Sequence, residues 1–379
     1  MKKVAFLVNS LHGGGAERIV LNLGEFFIND EDIIGELILL EKNEFYLPKK
    51  ELKISYMSEL TGSENSIVKF LMLFMLALKT KNHVRKNKID VVQSHLYRSN
   101  YINIIAKLLG SKHECQIVNH DNFFRGYDRT ILGKIKLLLV RFFYRKADVV
   151  IAISEEMRVG LERVIDKEVI KINNPYPLFE IREKAREKVE LAEGKRYFST
   201  VGRLIDIKRA GDILQAFSII SEEHRNYDLL VLGDGPERTA LEEQVAKLNL
   251  NDRVKFCGRV DNPFSYLGRS EFFVMASESE GFPNALIEAM ACGCKVIASD
   301  CMTGPREILA PELVEEVKEA YFNRTGVLFP VGDFEALGGI MRRVIEQDLK
   351  MDAGKRVEDF DVNVIADTYR KLLMRGSGQ

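Results

Sequence analysis

Residues 4–17 read VAFLVNSLHGGGAE. Five apolar residues, a polar turn and three glycines that open an amphipathic stretch over 16–27 make the pattern of a buried strand feeding a helix. The chain makes a second such start at 197–208, YFSTVGRLIDIK, where the run ends at Gly202 and a helix is expected over 209–222. Short apolar runs recur at 36–40, 91–94, 116–118 and 149–153, and again at 229–232, 254–257, 272–275 and 296–298. Apolar strands alternating with helical stretches form parallel sheets covered on both faces. The expectation is an α/β protein of two doubly wound domains, residues 1–173 and 197–359. A linker over 174–196 joins them, and a C-terminal helix over 360–379 packs back on the first.

A chain of 379 residues, 46% of them apolar, has material for two cores. The net charge of −1 conceals an asymmetry: residues 1–173 carry 27 Lys/Arg against 21 Asp/Glu, and residues 174–379 carry 28 against 35. The two halves, at +6 and −7, present different surfaces to partners. Cys115, Cys257, Cys292, Cys294 and Cys301 lack metal-ligand spacing, so a reducing compartment and no metal site are expected. The apolar run after Lys3 is too short for a signal peptide. The longest uncharged apolar run, 70–78, has nine residues against the roughly 20 that span a bilayer.

Ligands of doubly wound sheets bind beyond the carboxyl ends of the strands, so the following loops carry the functional reading. His12-Gly13-Gly14-Gly15-Ala16-Glu17 can bring backbone N–H groups close to an anion. It reads as a tight strand-to-helix turn, or as the opening of a dinucleotide fingerprint with Glu41 as ribose ligand and Arg18 in place of the third glycine. Residues 280–288, EGFPNALIE, set Glu280 ahead of a helix and Glu288 two turns inside it, with Pro283 suited to the first helical position. Gly281 to Ala285 would offer N–H groups to phosphate oxygens and the carboxylates would meet hydroxyls on either side. The plainer alternative is a capping carboxylate and a solvated glutamate. Arg203 and Lys208 follow the strand at 197–201 and could neutralise a diphosphate in place of a metal, or simply stand exposed on a loop.

Taken in order, Gly-Gly-Gly-Ala-Glu, Gly202-Arg203, Lys208, Gly233-Asp234-Gly235-Pro236 and the Glu280 to Glu288 element resemble glycosyltransferase family 4 across nearly the whole chain. The order continues through Cys292-Gly293-Cys294, Ser299-Asp300, Thr303-Gly304-Pro305-Arg306-Glu307 and Gly326-Val327-Leu328-Phe329-Pro330. Lys295 departs from the proline usual in the family. The resemblance implies the GT-B fold, two Rossmann-like domains facing across a cleft, and a retaining, metal-independent transfer of sugar from a nucleotide diphosphate. By the same resemblance Glu280 contacts donor-sugar hydroxyls, Glu288 the ribose, and Arg203 and Lys208 the diphosphate. Gly281, Phe282, Asn284 and Ala285 offer backbone N–H groups, as Gly14 and Gly15 do from the first turn. The base lies against Gly233, Gly258 and Arg259, and His120 matches the histidine beside the donor sugar. The run 303–307 resembles enzymes of bacterial glycan assembly that use UDP-linked galactose-type or N-acetylhexosamine donors. No cofactor beyond the nucleotide sugar is implied.

Two segments of the first half, 68–88 and 129–146, are basic and apolar together and hold no acidic residue. Their cations, Lys79, Lys81, Lys134, Lys136, Arg141 and Arg145 among them, suit an anionic leaflet and a lipid-linked glycan acceptor, at the cytoplasmic face of the cell membrane. Nucleic acid is not expected as a partner, since such binders interleave exposed aromatics with a net basic domain. Other readings are a sugar-phosphate synthase or nucleotide-sugar epimerase of the same fold, or a non-catalytic membrane-associated nucleotide-binding module.

Overall fold

The computed structural model describes residues 1–12, 14–43, 46–48, 51–60, 66–120, 130–347 and 349–375, with backbone only for 66–70. Gly13, Asp121, Arg129 and residues 376–379, all within segments read above, lie outside the described residues. The chain divides into two compact units, Met1–Tyr176 with Val362–Gln379, and Pro177–Asp361.

The first unit holds β1 (Lys2–Val8), β2 (Ile33–Leu39), β3 (Ile54–Tyr56), β4 (Val91–His95), β5 (Glu114–Asn119), β6 (Val149–Ala152) and β7 (Ile170–Lys171). They form one parallel sheet in the order β3-β2-β1-β4-β5-β6-β7. Residues 4–8 of β1 are fully buried, as a central strand between two helical layers requires. The order reverses between β1 and β4. The helix Gly15–Phe27 leaves one side of that switch point and Tyr97–Leu108 the other, and the Ser99 hydroxyl donates to Asn9 Oδ1 at 2.8 Å across it. The helix Val362–Met374 returns to this unit. Val362 N–H donates to the Tyr176 carbonyl at 2.8 Å, and Arg370 Nε to Asp30 at 2.9 Å.

The second unit repeats the plan with β8 (Arg196–Val201), β9 (Tyr227–Leu232), β10 (Val254–Gly258), β11 (Phe272–Met275), β12 (Lys295–Ser299), β13 (Tyr321–Phe322) and β14 (Val327–Phe329). The order is β10-β9-β8-β11-β12-β14-β13, parallel except for the β13/β14 pair. Phe198 stacks on Phe272 at 4.8 Å across the β8/β11 junction, so the switch point is also the centre of the core. Within the expected linker, the helix Leu178–Ala185 packs in this unit against Pro263–Leu267, whose Gly268 lies against the Ala185 carbonyl. Lys295 opens β12, where its N–H donates to the Glu271 carbonyl at 2.9 Å, a bond that proline could not make.

Beneath its apolar layer the first sheet buries an unusual set of polar side chains, Gln93, Ser94, His95, Asn103 and Gln116 among them. His113 Nε2 shares a 2.8 Å hydrogen bond with Asn103 Oδ1, and burial pushes its imidazole down to about 4. Burial holds His95 well below the usual histidine range too, with His120 adding to the effect. Both rings are therefore neutral in the fold and protonated in the unfolded chain below about pH 6.5. Because the folded values are depressed, this contribution to stability is complete above that pH and is lost as pH falls toward 4. The unfolded state gains protons there at about 1.4 kcal/mol per pH unit for each ring. Urea unfolding midpoints are expected to drop steeply between pH 7 and pH 5, above the range where ordinary carboxylates titrate. A midpoint constant over that window would contradict the neutral assignment.

Candidate functional site

At the switch point of the second unit the loops after β8 and β11 meet. The loop after β8 turns through Gly202, Arg203 and Leu204 into a short 3-10 turn, Asp206–Lys208. Behind it lies the loop after β9. Gly202 N–H donates to the Leu232 carbonyl at 3.0 Å, Leu204 N–H to Asp234 at 3.0 Å, and Gly233 N–H to the Gly258 carbonyl at 2.8 Å. The loops following β8, β9 and β10 are thus joined backbone to backbone. Gly233 has φ +130°, and a Cβ there would stand 1.9 Å from the Gly202 carbonyl oxygen; one at Gly235 would stand 2.3 Å from that of Leu204. The Gly-Asp-Gly motif is an answer to this close approach.

On the other side, Glu278 N–H donates to the Ile207 carbonyl at 2.8 Å, bringing the loop after β11 against the 3-10 turn. Lys208 Nζ lies 2.6 Å from Glu280 Oε1, and the Ser277 hydroxyl donates to the same oxygen at 2.6 Å. The Glu280 side chain is 10% exposed and that of Lys208 28%. From behind, the Thr303 hydroxyl donates to the Glu280 carbonyl. Thr303 is held by a buried anchor: Arg306 Nε donates to Asp300 at 3.0 Å, and Asp300 also accepts from Val317 N–H at 2.8 Å. Gly304, with φ +102°, passes close to the Pro283 ring.

The helix begins at Asn284, one position later than expected, so that Pro283 is its N-cap and not its first helical residue. Glu288 is buried on this helix, beneath its first turn, and Phe282 packs edge-on against Phe360 at 5.7 Å. Arg203 and Arg259 are exposed at the same strand ends. The second unit therefore brings together Arg203, Lys208, Gly233, Gly258, Arg259 and the whole 280–288 element. Ser277, Thr303 and the Asp300–Arg306 pair went unread as parts of the site. The motif 299–307 was visible in the sequence, but its task of supporting Glu280 depends on a contact 23 residues away.

In the first unit, Gly14 caps the helix Gly15–Phe27 at the β1 switch point, while Glu41 is bound by the Arg98 guanidinium. That ion pair occupies the carboxylate a dinucleotide ribose would need. His120 follows β5, and its Nε2 lies 3.0 Å from His95 Nδ1. The ring is partly accessible, and burial of the remainder pushes its imidazole down to about 4. A depression of about 1390 Å³ in this unit, lined by Lys2, Arg85, Lys88, His113 and Glu114, sits at the opposite, amino ends of the strands. It is not the place where doubly wound sheets hold their substrates.

Of the residues expected at a membrane, Lys79 donates to the Met57 carbonyl at 3.0 Å and Lys81 to the Leu109 carbonyl at 2.6 Å, which turns both ammonium groups to the protein. Lys134 and Arg141 are exposed, Lys136 is half-buried, and Arg145 is exposed, 3.9 Å from Asp166. The first three belong to the helix Ile131–Tyr144 and Arg145 caps its end; the helix buries only Gly133, Val140 and Tyr144 and leaves Ile131, Leu132, Ile135, Leu138, Leu139 and Phe142 exposed. Among the described residues no helix is long and apolar enough to cross a membrane, and no cluster of side chains is set to hold a metal ion.

Two doubly wound α/β units in one chain are the architecture of GT-B glycosyltransferases. Residues 181–360 match the family described as glycosyl transferases group 1, and residues 61–176 match glycosyltransferase family 4. The chain belongs to the family 4 type of GT-B glycosyltransferases. One relative is a Campylobacter jejuni enzyme named N-acetylgalactosamine-N,N'-diacetylbacillosaminyl-diphospho-undecaprenol 4-alpha-N-acetylgalactosaminyltransferase. It is 29% identical over 98% of this chain and 100% of its own length. An uncharacterized glycosyltransferase of Methanocaldococcus jannaschii is also 29% identical, over 78% of this chain and 81% of its own. Among solved structures, Anabaena HepE in complex with UDP superposes with a TM-score of 0.75 at 18% identity, over 98% of this chain and 99% of that one.

Substituting Gly233 by alanine forces a Cβ into the Gly202 carbonyl at a φ that L-residues avoid. The variant is expected to lose about 2 kcal/mol or more of stability by chemical denaturation. An alanine variant as stable as the parent would show that the loops after β8 and β9 are not pressed together.

Proposed function

We propose that this chain transfers a sugar, galactose-type or N-acetylhexosamine, from a UDP-sugar to a polyisoprenoid-linked or other glycolipid acceptor, with retention and without a metal ion. The observation that carries the donor assignment is the Lys208–Glu280 pair, 2.6 Å apart at the β8/β11 switch point. A cation and a carboxylate held there in partial burial form a site of opposite charges ready for a ligand that carries both phosphate and hydroxyl groups. On binding, Lys208 with Arg203 moves to the diphosphate, and Glu280 accepts hydrogen bonds from the sugar hydroxyls. Glu288 takes the ribose, the backbone of Gly281, Phe282, Asn284 and Ala285 the remaining oxygens, and the loops at Gly233, Gly258 and Arg259 the base. Gly14 and Gly15 offer N–H groups from the first unit, and His120 is the histidine beside the donor sugar. Transfer then requires charge to build on the leaving diphosphate, where fixed cations lower the barrier most.

The acceptor reading rests on the name of the Campylobacter relative and on the helix Ile131–Tyr144. Six large apolar side chains exposed on one helix, Ile131 at 81% and Phe142 at 58%, exceed the scattered exposure of ordinary surfaces. With Lys134, Lys136, Arg141 and Arg145 on the same segment, the helix suits the interface of an anionic leaflet, apolar side chains among the acyl chains and cations at the headgroups. The proposed location is the cytoplasmic face of the cell membrane, with no part for nucleic acid.

Glu280→Gln and Lys208→Ala are each expected to lower turnover by about 10²- to 10³-fold, with circular dichroism and melting little changed. Near-normal turnover of either variant with the true substrates would remove it from the donor site. Activity is expected to survive EDTA; loss on chelation that Mg²⁺ or Mn²⁺ restores would overturn the metal-free reading.

Docking is tested by co-sedimentation with vesicles of graded anionic content. Replacing Lys134, Lys136, Arg141 and Arg145 by glutamine is expected to weaken pelleting and its dependence on anionic lipid. Leu138→Asp with Phe142→Asp is expected to abolish pelleting at any salt concentration, with slow hydrolysis of the donor sugar preserved. Equal pelleting of all three proteins would exclude this helix as the docking face.

A further inference from the structure

His120 is the last member of a chain of hydrogen bonds that crosses the first sheet from one end to the other. Glu114 and Gln116 lie two apart on β5, Gln93 and His95 two apart on β4, and the register places Gln93 opposite Gln116. With a period of two, all four side chains share one face of the sheet. Gln116 Nε2 donates to Glu114 Oε1 at 3.0 Å, and Gln93 Nε2 donates to Gln116 Oε1 at 2.9 Å. Gln93 Oε1 lies 3.2 Å from His95 Nε2, and His95 Nδ1 lies 3.0 Å from His120 Nε2. At the far end the second oxygen of Glu114 lies 3.5 Å from the Lys2 ammonium.

The polarity of this chain follows from its first member. A carboxylate only accepts, so Gln116 must turn its amide NH₂ to Glu114 and its carbonyl to Gln93. Gln93 must then donate to Gln116 and accept from His95, which places the His95 hydrogen on Nε2 and leaves Nδ1 with a lone pair. His120, facing that lone pair, must donate from Nε2. We propose that Glu114, acting through Gln116, Gln93 and His95, fixes His120 in the tautomer that carries hydrogen on Nε2 and presents Nδ1 as an acceptor for a sugar hydroxyl. Reversing any one link would set two acceptors or two donors face to face inside the sheet, at the cost of an unsatisfied buried polar group. The depressed imidazoles of His95 and His120 agree with neutral rings, the only state in which the order is defined.

Glu114 is on this account a positioning residue, remote from the substrate. The functional consequence rests on the reading of His120 as the histidine beside the donor sugar, while the tautomer assignment does not. The test uses full-length protein labelled with ¹⁵N at its six histidines, since imidazole nitrogen shifts report which ring atom carries hydrogen. In the parent protein His95 and His120 are both expected to show a protonated Nε2 and a bare Nδ1. Glu114→Gln is isosteric and replaces an acceptor-only group by one that can also donate, so the chain may run in either direction. His120 shifts should move toward a mixture of tautomers, and donor turnover should fall by about tenfold. Gln93→Met, which cuts the chain in its middle, should release His120 in the same way if the first variant fails to fold. Identical His120 shifts in the parent and a folded variant would overturn the proposal. Altered shifts with unchanged donor turnover would uphold the chain and sink the donor-contact reading of His120.

Discussion

One ion pair marks the switch point of the second unit: Lys208 from the loop after β8 and Glu280 from the loop after β11 meet at 2.6 Å, though 72 residues separate them. The topology makes this meeting unavoidable. In the order β10-β9-β8-β11-β12, chain excursions from β8 and β11 leave in opposite directions, and the gap between them is where two loops can face without a helix intervening. The Gly202 and Gly233 backbones press together on the β8 side of that gap, and Thr303 with the Asp300–Arg306 pair stands behind Glu280 on the other. A partly buried ion pair of this kind contributes little net stability, because the desolvation of both charges offsets most of their attraction. What it does is hold two charged groups in place; on the proposed function, a phosphate and a hydroxyl arriving together replace each partner for the other.

The support behind Glu280 explains the glycine and the short polar side chains at this end of the second sheet. The Ser277 hydroxyl donates to the same Glu280 oxygen that Lys208 meets. Asp300, buried and bound by both Arg306 and the Val317 N–H, keeps the segment leading to Thr303 from shifting. Gly304 lets the chain turn beneath Pro283, where a side chain would push the start of the helix Asn284–Ala291 outward. In the proposed donor site, losing any of these contacts moves its members, and positioning errors of about 1 Å cost on the order of 10²-fold in rate. The rigidity of the loop is part of the chemistry.

The sequence exposed the strands with an unbroken apolar run, β1 and β11 among them, because a central parallel strand of that kind has no polar side to blur its pattern. It hid β3, β7 and β13, which run for two or three residues at sheet edges and carry too few side chains to show a period. The charged members of the site, Arg203, Lys208, Glu280 and Glu288, were legible as types at a spacing. Ser277 and Thr303 were not, since a hydroxyl that supports a carboxylate looks like any loop hydroxyl until the fold brings it near. The basic segments were legible as charge, but not the direction of each ammonium. Lys79 and Lys81 spend theirs on carbonyls of Met57 and Leu109, and that choice depends on which helix lies alongside.

The first unit breaks the ordinary rule of burial in both directions. It buries Gln93, His95 and Gln116 in the middle of a sheet where the sheet of the second unit places Phe and Val, and it exposes Leu132, Leu138 and Phe142 on a helix where Lys and Glu would dissolve better. A core polar group that is fully paired still gives up the stabilisation an apolar neighbour would have supplied, and an exposed apolar face invites association. Neither departure helps the unit fold, and both would be removed by substitutions that evolution or design finds readily. Sequences keep such conflicts at the places where they act. The two conflicts here lie on different elements: a strand pair that ends at His120, and a helix with its apolar face turned to solvent. The unit that holds no part of the Lys208–Glu280 pair therefore carries both departures, which is why the proposed orientation of a ring nitrogen and the proposed lipid contact are both assigned to it.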